Sequence, residues 1–124
     1  MFGLYWMKDV EAVTEFLDRL RPLLEAGALR FEPRNRKTWE FLLAEGLGEE
    51  DAYDIIARLG PGHFEWGPRL DDNGTVGDVM LFSYPYTRLL PPCDRIRLYI
   101  KLKIWTDGDG DTGIVMSFHD WGNV

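Results

Sequence analysis

The stretch Arg95-Ile96-Arg97-Leu98-Tyr99-Ile100-Lys101-Leu102-Lys103-Ile104-Trp105 decides how the rest of the chain is read. Side chains in a strand point alternately to opposite faces, so Ile96, Leu98, Ile100, Leu102 and Ile104 share one side while Arg97, Tyr99, Lys101, Lys103 and Trp105 share the other. The first side is a core surface. The second is cationic and aromatic: the run holds no acid, although the whole chain carries 21 Asp and Glu against 14 Lys and Arg. A local excess of cations on an acidic body predicts a site for an anion, phosphate first. The plainer role of such charges is to blunt a strand against edge pairing.

Outward from this strand, the Asp- and Gly-rich turn Asp107 to Gly113 leads to a partner strand, Ile114 to His119. Upstream, Asp78 to Tyr84 reads as a strand and Pro85 to Asp94 as a proline-rich connection. Pro61 to Gly77 reads as a loop holding His63, Phe64 and Trp66. Before that point the period is helical. Asp9 is placed to cap a helix with Val10, Val13, Leu17, Leu20 and Leu24 on one face, kinked or shortened at Pro22 and stopped by Gly27. Ala28 to Pro33 is a short extended piece. Asn35 caps a second helix running through Ala44, with Trp39, Leu42 and Leu43 inward and Gly46 closing it. Glu49, Glu50 and Asp51 open a third helix whose stripe Ala52, Ile55, Ile56 and Leu59 is core, and Gly60 ends it. Helices first and strands after predict an α+β fold, three N-terminal helices packed on one face of a C-terminal antiparallel sheet.

The chain has 124 residues, of which 45% are hydrophobic, and suits a single domain over residues 1–124. No apolar run approaches the roughly 18 residues of a membrane span, and Met1 to Met7 lacks the basic flank and length of a signal peptide. A cytoplasmic protein without membrane contact is expected. Cys93 has no partner for an internal disulfide, and Pro91, Pro92 and Asp94 around it do not activate a thiol. A pI of about 4.7 excludes coating nucleic acid through bulk charge, since that requires many neutralised phosphates. RNA contact must therefore be local, and this chain alone is expected to make no DNA contact. Arg30, Arg34, Arg36 and Lys37 form a second basic cluster, which makes one patch with the strand if the fold joins them.

On the open face, alternation sets Val115, Ser117 and His119 with Tyr99 and Lys101, and Ile114, Met116 and Phe118 with the core. Pairing Trp105 with Gly113 brings Lys103 beside Val115, Lys101 beside Ser117 and Tyr99 beside His119. An imidazole, a phenol and an ammonium around one spot suit metal-independent RNA cleavage, which needs a base for the 2′-hydroxyl, an acid for the departing 5′-oxygen and positive charge for the phosphorane. His119 titrates near neutrality and serves as acid or base, Lys101 stabilises charge and Tyr99 positions or shuttles a proton. Arg97 and Lys103 would hold flanking phosphates, with Arg34, Arg36 and Lys37 extending the substrate surface.

These residues carry a resemblance. Tyr99-Ile100-Lys101-Leu102-Lys103 followed by Val115-Met116-Ser117-Phe118-His119 resembles the paired C-terminal strands of MqsR-type (motility quorum-sensing regulator) toxins, especially longer relatives ending in Ser-Phe-His. Phe41 to Leu47, Asp51 to Leu59 and Gly67-Pro68 are similar to that family as well. The likeness covers roughly residues 10 to 120. It implies a RelE-like microbial ribonuclease fold, cleavage of mRNA, and neutralisation by a cognate antitoxin of zinc-binding or helix-turn-helix type. Tyr99 matches a strand tyrosine held to act in catalysis. His119 stands where the best-known members carry lysine, another family lysine falls near Glu65 or Trp66, and the family glutamine has no clear counterpart around Met80 to Phe82.

Asp107, Asp109 and Asp111 imitate the start of a calcium loop, but Thr112 replaces the required glycine, Phe118 replaces the closing glutamate, and strands flank the loop. A flexible hairpin tip is the expected reading. Two histidines and one cysteine without regular spacing predict no zinc site, and no cofactor motif appears. The alternative to a ribonuclease toxin is a non-catalytic protein-binding module, a degenerate toxin using its sheet face for a partner.

Overall fold

A computed structural model describes residues 2–70 and 78–123, with side chains described for 10–69 and 79–123. The chain is α+β with its three helices N-terminal: α1 (Phe2–Glu25), β1 (Leu29–Phe31), α2 (Lys37–Glu45), α3 (Glu49–Ile56), β2 (Phe64–Leu70), β3 (Asp78–Thr87), β4 (Arg95–Asp107) and β5 (Gly110–Asp120). Single 3-10 turns at Pro61–His63 and Trp121–Asn123 precede β2 and follow β5. The five strands form one sheet in the order β1-β5-β4-β3-β2.

The sheet is mixed, which corrects the all-antiparallel expectation. β2 to β5 pair antiparallel, but β1 lies parallel to β5, matching Leu29 with Gly113 and Phe31 with Val115. β1 can run the same way as β5 because α2 and α3 intervene between β1 and the rest of the sheet, the long connection that parallel neighbours need.

One face of the sheet receives the helices. Val13, Phe16, Leu17 and Leu20 of α1, Phe41 and Leu42 of α2, and Ala52, Ile55, Ile56 and Leu59 of the α3 segment meet Met80, Phe82, Leu98, Ile100, Leu102, Ile104, Val115 and Phe118 in one apolar core. The alternation read in β4 and the stripe read around α3 both hold. In α2 the inward set is Thr38, Phe41 and Leu42, whereas Trp39 and Leu43 are 45% and 85% exposed, against expectation. Thr38 faces in because its hydroxyl accepts the Phe118 backbone N–H at 2.9 Å. That donor lies past the end of short β1 and finds no strand partner there.

Other boundaries shift for local reasons. α1 begins at Phe2, so Asp9 lies inside it, and it continues through Pro22 to Glu25. Asn35 Oδ1 does accept the Lys37 N–H at 3.0 Å, and Gly46 closes α2 at φ 69°, the left-handed geometry that glycine adopts without strain. β3 extends through Pro85 to Thr87; β2 stops pairing opposite Phe82, so the missing proline N–H falls on an open edge. The segment expected as a loop from Pro61 is instead a turn followed by β2, while residues 71–77 lie outside those described. β2 is irregular: its register slips at Glu65 and again at Gly67-Pro68. Gly67 has φ +134° with Met80 Sδ and Val79 O at 2.6 and 2.7 Å from where a Cβ would stand, so only glycine fits.

Among the described residues, no helix is long and apolar enough to cross a membrane.

Candidate functional site

The face turned away from the helices is organised in rungs across the strands. Ser83, Tyr99 and His119 lie on one rung, Trp66, Leu81, Lys101 and Ser117 on the next, and Val79, Lys103 and Ile114 on a third. The expected neighbours Tyr99/His119 and Lys101/Ser117 are therefore met. Lys103 is not beside Val115: the register slips between Lys101 and Leu102, so Met116 and Ser117 together oppose Lys101. This β-bulge reverses the parity of everything before Met116 in β5. Val115 joins the helix-side core, while Ile114 and Met116 pack with Val79 and Trp66 on the opposite face. Trp105 pairs with Thr112 for the same reason.

The bulge leaves the Ser117–His119 end as alternation placed it. Tyr99 and His119 stack with ring centroids 5.0 Å apart and planes 16° from parallel. His119 is only 4% exposed, and its Nδ1 lies 2.9 Å from the Asp120 backbone oxygen. A carbonyl accepts and never donates, so Nδ1 carries the proton and the neutral ring keeps its lone pair on Nε2. Burial holds the His119 pKa below its usual value; the Asp120 hydrogen bond opposes this, and the nearby Lys37 charge adds to it. The result is a neutral imidazole with an unprotonated Nε2 beside a phenol.

Asp120 is itself held. Arg88 Nη2 reaches Asp120 Oδ2 at 3.4 Å, its Nη1 reaches Asp94 at 3.5 Å, and its Nε lies 3.4 Å from Glu45 Oε2 without hydrogen-bond alignment. One guanidinium thus ties the end of α2, the β3–β4 connection and the end of β5 together.

The predicted cations have separate fates. Lys101 is partly buried, with its ammonium 5.9 Å from the Trp66 ring centre, which Arg69 also covers at 4.2 Å. Lys103 is 3% exposed and its ammonium lies 5.8 Å from the Trp105 ring centre, a poor position for gripping a flanking phosphate. Arg97 is paired at 2.6 Å with Glu65 and lies 4.2 Å over the Trp121 ring. Arg34 and Arg36 lie exposed in the turn entering α2, and Lys37, at the first position of that helix, is the member of the second cluster whose charge acts on His119.

Three face residues escaped sequence reasoning. Glu65 accepts hydrogen bonds from Ser83 and from Arg97, each at 2.6 Å, and Trp121 packs edge-on against Tyr99 at 5.2 Å. The alternation Phe64-Glu65-Trp66 was a signal for a strand, but Gly67-Pro68 interrupts it. A shallow hollow of about 250 Å³ follows this edge past Glu65, Trp66, Pro68 and Arg69.

At the β4–β5 tip the Asp107 and Asp111 carboxylates are used internally. The Asp109 N–H donates to Asp107 at 2.8 Å, and Asp111 accepts from the Thr106 hydroxyl and pairs with Arg19 at 3.4 Å. Thr106 first, then Arg19, hold the Asp111 carboxyl below its usual pKa. Among the described residues no three His, Cys, Asp or Glu side chains gather as a metal site.

Compared with protein-family models, with curated proteins and with solved structures, the chain matches none of them.

Proposed function

We propose that this protein is a metal-independent endoribonuclease acting on mRNA, the toxin of a type II toxin–antitoxin pair with a RelE-like fold, held inactive by a cognate antitoxin. The observation that carries the reading is the Tyr99–His119 stack with Lys101 on the adjoining rung. In this mechanism Nε2 of neutral His119 takes the proton from a ribose 2′-hydroxyl, and the oxygen attacks the adjacent phosphorus. Lys101 offsets charge on the phosphorane, the 5′-oxygen leaves with a proton from the Tyr99 phenol, and the products are a 2′,3′-cyclic phosphate and a 5′-hydroxyl.

The low exposure of His119 favours one second reading, a sheet-face binding module that does not cleave. Incubating a defined single-stranded RNA with the purified protein in low salt and EDTA, then mapping the ends, separates the two. The nuclease reading expects cyclic-phosphate ends that vanish with His119→Ala and weaken with Tyr99→Phe, and growth arrest on expression without the antitoxin. Intact RNA throughout, with partner binding that survives both substitutions, establishes the module instead.

A further inference from the structure

We infer that Trp121 and Arg97 form a stacking subsite for the nucleobase next to the cleaved phosphate, an inference that rests on the ribonuclease reading of the Tyr99–His119 centre. Trp121 is partly buried yet belongs to neither apolar cluster, so core packing does not account for its placement. The turn that carries it is pinned: the Gly122 N–H donates to Asp120 Oδ1 at 2.9 Å, and Arg88 holds the other oxygen of the same carboxylate. This arrangement sets the indole edge-on to Tyr99 at 5.2 Å, one ring removed from His119.

Arg97 adds the second component. Its guanidinium lies 4.2 Å over the indole and is half exposed, so a flat cationic plane and an aromatic ring stand together beside the centre. Single-stranded RNA is gripped by such planes, because every base has a π-face and guanidinium stacks on it while attracting phosphate. The opposite end of β4 is unsuited, since Asp107 and Asp109 at the exposed hairpin tip repel a phosphate chain. The strand path therefore favours the Arg97 and Trp121 end.

The test measures binding of two non-cleavable probes, a 2′-O-methyl oligoadenylate decamer and an abasic decamer of the same length and charge, by anisotropy at low salt. Wild type is expected to bind the adenylate decamer more tightly than the abasic one. Trp121→Ala is expected to lose about tenfold on the adenylate decamer and nothing on the abasic one, while Trp121→Phe stays within about threefold of wild type. Thermal melts of the variants establish that they are folded. Equal losses on both probes, or no loss on either, overturn the subsite. Failure of wild type to bind either probe overturns the subsite and the RNA reading together. Cleavage of RNA that Trp121→Ala leaves unchanged, with no preference for bases over abasic backbone, removes the subsite and keeps the nuclease. Base-dependent binding that Trp121→Ala abolishes, without any cleavage by wild type, leaves a base-stacking surface and overturns both the nuclease and the subsite's place beside a cleaved phosphate.

Discussion

Glu65 holds Arg97 through a 2.6 Å ion pair, so the most exposed cation beside the Tyr99–His119 centre is already engaged by a carboxylate. RNA must compete with Glu65 for that guanidinium. Glu65→Gln is expected to raise affinity for single-stranded RNA about two- to fivefold at low salt, with the gain shrinking as salt rises. Filter binding across a salt series checks this; unchanged affinity would show that Arg97 takes no part in holding RNA.

The pH dependence follows from His119, whose pKa is held below the usual value near 6.5 mainly by burial. A depressed imidazole favours the fold in its neutral form. That contribution is full above about pH 6.5 and declines below it, because the unfolded chain takes up the proton first, until pH reaches the folded-state value. Urea unfolding between pH 5 and 8 is expected to show wild type losing stability toward acid more steeply than His119→Asn. Cleavage, with His119 as base, is expected to hold through the first part of that decline and to fall as pH approaches the lower folded-state value.

Thr38 supplies the acceptor for a buried backbone donor at Phe118. Thr38→Val keeps the shape and orphans that N–H, at an expected cost of about 1–3 kcal/mol. Denaturant midpoints measure it, and Thr38→Ser is expected to recover most of the loss.

Gly67 approaches Met80 and the Val79 carbonyl too closely for any side chain, and its φ is positive. Gly67→Ala is expected to cost at least about 1 kcal/mol and to disturb the Glu65 and Trp66 positions along β2. Trp66 lies against the second apolar cluster, so a change in tryptophan emission is expected with the loss of stability.

What was legible in the sequence were the elements whose period is local. β4 shows its two faces, and the Ala52, Ile55, Ile56 and Leu59 stripe shows its core side, because each pattern repeats without interruption. The count that set Tyr99 beside His119 starts from Trp105 opposite Gly113, which are not partners, and reaches the right pair because the bulge offsets that one-residue error. The count failed on the other side of Met116, since a bulge is set by how the strand must bend and twist and leaves no mark on its composition. α2 misled for another reason: Trp39 and Leu43 are apolar, but the docking direction was decided by the needs of a strand 80 residues away, where Phe118 N–H awaits Thr38. β1 and β2 are defined by partners distant in the chain, and the Gly67-Pro68 break hid the alternation of β2.

The extra residue at Met116 makes β5 a strand with two phases, one serving the helices through Val115 and the other presenting His119. The bulge is therefore a spare residue inside the ladder. Excising Met116 alone joins Val115 to Ser117 as ordinary alternating neighbours, so Val115 keeps facing the helices, the imidazole keeps facing Tyr99, and Lys101 and Leu102 keep their partners. What such a deletion removes is the local bend and the Met116 side chain beside Ile114 and Val79.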